Sequence, residues 1–191
     1  HYRRIADATD LPIIAFQYPM GSGLGYPFET LLALFEAVPT IAAIKDWSND
    51  PMLHEKHIRT FQALPRPVNV LTTHSSWLMA SLTLGCNGLL SGSGSVIADL
   101  QVALWRAVQA GDLTAAQAVN DRIVPLSQAF YAPPFLDMHN RMKEALVLLG
   151  RLDKAVVRPP LMKLPEAEIA RIGAALRQAG IAREGALSLA A

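Results

Sequence analysis

The sequence predicts an α/β fold of parallel strands joined by helical crossovers, and three observations carry that prediction. Between Pro12 and Ser95, four short apolar runs alternate with segments of helical periodicity. No hairpin signal separates one apolar run from the next, so neighbouring strands need long crossovers rather than two-residue turns. The runs also lack polar alternation, as strands buried on both faces do.

The first strand is read in "PIIAFQY" (Pro12 to Tyr18), rich in Ile and aromatics and bounded by Pro and a glycine cluster. "PFETLLALFEAV" follows, with Leu31, Leu34, Phe35 and Val38 at helical spacing. "IAAIK" is the second strand, and a helix from about Met52 to Leu64 ends at "PRP". "VNVLTT" (Val68 to Thr73) is the third strand, "SSWLMASLTLG" the third helix and "NGLLSG" a short fourth strand.

After Ser95 the pattern is helical alone. "VIADLQVALWRAVQAG" closes at Gly111, "DLTAAQAVNDRIVPLSQAF" keeps Leu113, Ala116, Val119, Ile123 and Leu126 near one face, and "MHNRMKEALVLLG" ends at another glycine. The last helix, about Pro165 to Ala179, has Pro in its first turn, Glu166 and Glu168 near its positive end and Gly180 beyond it. The tail "REGALSLAA" is expected to fray.

The chain has 191 residues, 51% hydrophobic and 17% charged, with a formal charge of +1, enough to bury one sizeable core. Its basic residues are scattered, which argues against a nucleic-acid partner. Cys86 is the single cysteine; it forms no intramolecular disulfide, is read as core, and fits a reducing cytosol. The N-terminus "HYRRIADATD" shows no initiator Met and no signal-peptide plan. Apolar stretches break well short of the roughly 20 residues of a membrane helix. A cytoplasmic protein without a membrane partner is expected.

Lys45 stands at the end of the run Ile41-Ala42-Ala43-Ile44, just before a polar turn. Two readings are open: a salt-bridged surface lysine, or an amine desolvated so that it can attack a carbonyl. The architecture is open too. Length favours a doubly wound sheet, since a full (β/α)₈ barrel needs about 250 residues.

The motifs point to a barrel. With "HYRRIADATDLPIIAFQYP", "IAAIKDW", "LGCNGLLSGSGSV" and "GDLTAAQAVNDRIVPL" in order, the chain resembles the dihydrodipicolinate synthase and N-acetylneuraminate lyase family of class I aldolases. The resemblance runs over nearly the whole chain and covers the second half of such an enzyme. It implies a (β/α)₈ TIM-barrel fold, here strands five to eight, followed by a C-terminal helical extension. Residues 1–95 would be the half-barrel carrying Lys45, 96–185 the last barrel helix and the extension, and 186–191 the tail.

In the family, a lysine ending the sixth strand forms a Schiff base with pyruvate or a related 2-oxo acid, and Lys45 falls on that lysine. The resemblance therefore implies a lyase or aldolase with no cofactor, the imine itself being the electron sink. Substrates would be 2-oxo acids, sugar-acid derivatives among them, and the protein would be a homo-oligomer. The family's proton-relay tyrosine falls on Phe16, which has no hydroxyl. Tyr18, two residues on and on the same strand face, is the candidate replacement or else a packing residue.

Where synthase members carry an arginine, this chain has Gly21, which puts the synthase reaction itself in doubt. Ser22 and Gly23 match the small residues there, and "GSGLG" lacks dinucleotide-fingerprint spacing. His74, just past the third strand, is a substrate-side proton carrier or a loop-bonded helix residue. A backbone carbonyl at Leu90 faces substrate by the resemblance, and Ser91 to Ser95 either cradle a carboxylate or form a plain turn. His54, His57 and His139 are read as lacking a carboxylate or cysteine set, so no metal is expected. The rival functions are a non-catalytic ligand-binding homologue and an inactive fragment lacking the N-terminal half-barrel.

Overall fold

The structure is a computed structural model that describes residues 1–181; the expected tail lies outside the described residues. The chain divides into two compact units after Ser91, four residues ahead of the expected boundary.

The first unit opens with a five-residue helix, Tyr2–Ala6 (α1), which buries no residue and so left no apolar period to read. Then come β1 (Ile13–Gln17), α2 (Phe28–Ala37), β2 (Ile41–Asp46), α3 (Pro51–Phe61), β3 (Asn69–Thr72), α4 (Leu78–Thr83) and β4 (Gly88–Leu89). Helix α3 starts where Asp50 accepts the Met52 and Leu53 N–H groups at 3.0 and 3.1 Å, with Pro51 pre-set for the first turn. Helix α4 is shorter than the sequence suggests. Turns at Thr73–Ser75 and His74–Trp77 use its first residues.

All strand pairs are parallel and the strand order is β1-β2-β3-β4. A doubly wound sheet reverses its order at a switch point, whereas an arc of a barrel adds each strand beside the last. The monotonic order settles the architecture that length left open.

Register fixes two faces. Phe16, Lys45, Leu71 and Gly88 are partners across the sheet on one face, and Gln17, Asp46, Thr72 and Leu89 on the other. The second face is covered by helices: Ala15, Ile44 and Val70 are buried with Leu31 and Phe35 of α2, Phe61 of α3 and Leu82 of α4. Phe61 contacts both Phe28 and Phe35, with ring centroids 5.3 and 4.9 Å apart. Each such fully buried side chain contributes about 1.5–3 kcal/mol. The first face is more open, and Ile14 and Leu90 are 47% and 41% exposed.

The second unit, from Gly92, is helical: α5 (Gly94–Gln109), α6 (Leu113–Phe130), α7 (Met138–Leu148) and α8 (Glu166–Gln178). Helix α5 begins ahead of Ser95, which moves the unit boundary forward. Gly111, Gly150 and Gly180 follow helix ends at φ of 69°, 67° and 65°, a left-handed cap that disfavours any Cβ.

Arg141 of α7 is fully buried. It donates to the Phe130, Ala132, Pro133 and Pro134 carbonyls, closing the end of α6, and to Glu168 of α8 at 2.5 Å. Arg122 of α6 donates to the Ala179 carbonyl at 2.9 Å. No helix among the described residues is long and apolar enough to cross a membrane.

Candidate active site

Lys45 leaves the open sheet face one residue before the end of β2. Its Nζ lies 4.4 Å from the centre of the Phe16 ring, the side chain paired with it across the β1–β2 ladder. Among the described residues no carboxylate is within ion-pairing distance of this amine. Burial pushes its pKa below the ordinary value, while the ring's negative face favours the cation. The net direction is down, which raises the fraction of uncharged, nucleophilic amine.

Tyr18 follows β1 on the Lys45 side. Its ring packs on Phe16 with centroids 4.2 Å apart and meets Trp47 edge-on at 5.3 Å, so Phe16, Tyr18 and Trp47 form one aromatic row beside the amine. The loop beyond Tyr18 is tied back by Gln17, whose amide donates to the Tyr26 carbonyl at 3.1 Å and accepts the Tyr26 N–H at 3.0 Å. A Cβ at Gly25 would fall 2.6 Å from the Tyr18 carbonyl oxygen, so the loop closes this tightly only with glycine there. Ser22 is exposed, and its hydroxyl donates to the Pro19 carbonyl at 2.6 Å and accepts the Leu24 N–H at 3.1 Å. It is engaged within its own loop.

The other side of β2 carries a hydrogen-bonded cluster that the sequence reading did not assemble. Asp46 Oδ2 accepts from His54 Nδ1 at 2.8 Å and from His57 Nδ1 at 2.7 Å, and Oδ1 accepts the Ser48 N–H at 2.8 Å. His54 Nε2 reaches Ser81 Oγ of α4 at 2.6 Å. The order Ser81, His54, Asp46 is that of a hydrolase triad, but all three side chains are fully buried, so no substrate can reach the hydroxyl.

Charge in this cluster follows from competition between burial and pairing. Burial would raise the Asp46 carboxyl, but hydrogen bonds from His54 and His57 outweigh it and hold the group below the usual carboxylate range. Burial opposes a charged His54, yet the Asp46 carboxylate, helped by the Cys86 sulfur, pushes that imidazole up to about 9. His54 and His57 therefore do have a carboxylate partner, contrary to expectation. "KDW" supplied it, eight and eleven residues upstream.

His74 belongs to the same layer and not to the Lys45 face. It is 2% exposed; its Nε2 accepts the Asn49 N–H at 3.1 Å and its Nδ1 meets Thr72 Oγ1 at 3.1 Å. An imidazole nitrogen accepting a backbone N–H must be unprotonated, in keeping with a pKa that burial lowers to about 4. The substrate-side role expected of His74 is corrected accordingly: it holds the loop after β2, where Asn49 takes a φ of 55°.

Asp46, His54 and His74 each offer a donor atom within 4.8 Å of the others, the one metal-ligand grouping among the described residues. Those atoms are already committed to one another, to Ser81 and to the Asn49 backbone. Ligation would break a satisfied network.

Leu90 continues the sheet, its N–H donating to the Thr72 carbonyl at 2.8 Å, and Ser91 Oγ lies 2.7 Å from Ser75 Oγ. Within the second unit, the Ser93 N–H donates to the Tyr131 hydroxyl at 3.0 Å, and the Ser95 N–H to the Gly92 carbonyl at 3.2 Å. Those two N–H groups of the expected carboxylate cradle are therefore used internally.

Comparison with known proteins gives the same fold and a family. The chain is 33% identical over 182 residues to an uncharacterised DapA-like lyase of Halobacterium salinarum, covering 95% of this chain and 57% of that protein. It is 30% identical over 181 residues to the 4-hydroxy-tetrahydrodipicolinate synthase of Moorella thermoacetica, covering 95% and 59%. Among solved structures it is similar to YagE of Escherichia coli K12, a prophage protein of the dihydrodipicolinic acid synthase family crystallised with pyruvate. There the TM-score is 0.81 at 27% identity, covering 94% of this chain and 60% of that one. The chain thus spans somewhat over half the length of the relatives it matches, and its sheet is half of their TIM barrel. The model of the dihydrodipicolinate synthetase family matches residues 1–179, and the chain belongs to that family.

Proposed function

We propose that the chain carries the Schiff-base half of a lyase or aldolase acting on pyruvate or another 2-oxo acid. The carrying observation is Lys45: an amine at a strand end, outside any ion pair among the described residues, with its pKa lowered by burial. Its uncharged nitrogen adds to the ketone carbon, and loss of water leaves an imine. The protonated imine accepts the electron pair released when the neighbouring carbon bond breaks, or supplies the enamine when one forms.

Tyr18 is the proton carrier in this reading, because Phe16 has no hydroxyl and His74 is withdrawn into the buried layer. Leu90 and Ser91, at the end of β4, and Ser22 are the candidate contacts for substrate oxygens. Gly21 offers no guanidinium for a second carboxylate, which favours sugar-acid substrates over the synthase reaction. YagE, whose provisional name is that of a 2-dehydro-3-deoxy-D-gluconate aldolase, supports that direction. Among the described residues the outer edges of β1 and β4 are unpaired, which favours association with further chain, in a homo-oligomer or otherwise.

A non-catalytic binder is the second reading, and Phe16 at the relay position is what favours it. Calorimetric titration of pyruvate into the wild-type chain and Lys45→Ala separates the two. An imine former loses binding with the amine, whereas a binder held by hydrogen bonds keeps most of its affinity.

A further inference from the structure

We propose that Asp46 is a positioning residue for Lys45: its carboxylate, clamped by His54 and His57 of α3, fixes the end of β2 and so the direction in which the Lys45 amine leaves the sheet. The inference rests on the function proposed above and adds a residue on the opposite face of the strand.

The geometry is that of a strand end held from every side. Asp46 Oδ2 takes the two imidazoles at 2.8 and 2.7 Å and Oδ1 takes the Ser48 N–H. The Asp46 carbonyl accepts the Thr73 N–H at 3.1 Å, and the next N–H, of Trp47, donates to the Gln17 carbonyl at 2.9 Å. His74 then holds the Asn49 N–H, and Asp50 caps α3. The His57 ring packs against Phe28 and Phe61, at 6.0 and 4.9 Å, in a cluster where those two rings also touch each other at 5.3 Å, which restricts the clamp.

Such a buried anion is expensive unless it is bonded, and both Asp46 carboxylate oxygens are engaged while His57 Nε2 is left unpartnered among the described residues, so the carboxylate contacts favour one arrangement of the strand end. The lysine stem is a lever of roughly 6 Å, so a backbone rotation of about 10° carries its nitrogen about 1 Å. A displacement of that size at a reacting atom costs about 100-fold in rate.

The experiment traps the pyruvate adduct with borohydride in the wild-type chain, Asp46→Asn, His57→Phe and Leu82→Ala, at a temperature where circular dichroism shows each folded. Leu82→Ala is the control for stability loss in the same layer, and His57→Phe keeps the ring stack while removing the hydrogen bond. Trapping rates are read against pyruvate concentration. The expected result is a saturating rate about 100-fold lower in Asp46→Asn and about tenfold lower in His57→Phe, with a smaller change in half-saturating pyruvate and an unchanged rate in Leu82→Ala. A folded Asp46→Asn that traps at the wild-type rate overturns the inference, as does equal slowing in Leu82→Ala. Should Asp46→Asn not fold, a wild-type rate in His57→Phe overturns it. No adduct in the wild-type chain removes the proposed function, and this inference with it.

Discussion

Lys45 and Asp46 are consecutive residues whose side chains serve opposite faces of β2: the amine lies over Phe16 on the open face, and the carboxylate binds two imidazoles in the buried layer. One strand end therefore separates the Lys45 amine from the carboxylate that would pair with it. An acid on the same face would pair with the ammonium and raise its pKa.

That separation makes a kinetic prediction. Because burial lowers the Lys45 pKa, the rate of trapped-adduct formation should rise with pH through a midpoint below the ordinary lysine range. Mass-resolved trapping across a pH series gives the midpoint. A value no lower than that of the other lysines, followed in the same samples by reductive methylation, would contradict the desolvated amine.

The proposed proton-carrying role of Tyr18, in the aromatic row, makes a second prediction. Tyr18→Phe should slow imine formation by about 100-fold while leaving the fold intact, since a positioned proton carrier is worth about 10²–10⁴. Adding Phe16→Tyr to that variant should recover part of the loss by returning a hydroxyl to the ring beneath the amine. If Tyr18→Phe traps as fast as wild type, Tyr18 only packs.

Stability should be bell-shaped in pH. His54, raised to about 9 in the fold from about 6.5 unfolded, contributes fully below pH 6.5, and that contribution is lost as pH rises toward 9. His74, lowered to about 4, contributes above pH 6.5, and its share is lost as pH falls toward 4. Each limb is worth up to about 3 kcal/mol, and thermal melts should place the maximum Tm near pH 6.5. His54→Gln should flatten the alkaline limb and His74→Gln the acid one; unchanged limbs would mean these imidazoles are not charged as described.

In the second unit, Arg141→Met should cost about 3–5 kcal/mol by urea unfolding, because it strands four carbonyls and leaves Glu168 without its buried partner. Arg171→Met removes only an exposed ion pair to the same glutamate and should cost under about 1 kcal/mol.

How much of this was legible in the sequence depends on range. Alternating apolar runs and glycine stops are local signals, so four strands, their parallel sense and the helix ends at Gly111, Gly150 and Gly180 could be read directly. The family motif located Lys45. Helix α1 was invisible because it buries nothing, and α4 was overdrawn because Ser75 and Trp77 have helix-compatible neighbours yet spend their N–H groups on turns.

The buried cluster was missed for a different reason. Asp46, His54, His57, His74 and Ser81 come from two strands' ends and two helices, and only packing brings them within hydrogen-bond reach. The local cue was present: His54 and His57 sit three apart on one face of α3, one crossover after an aspartate at a strand end.

The most direct test of the account is the intact mass of the chain after incubation with pyruvate and borohydride, followed by peptide mapping, with Lys45→Ala alongside. The account predicts one reduced adduct, located on Lys45 and absent from the variant. A folded wild-type chain that forms no adduct, or one that carries it on another lysine, would contradict it.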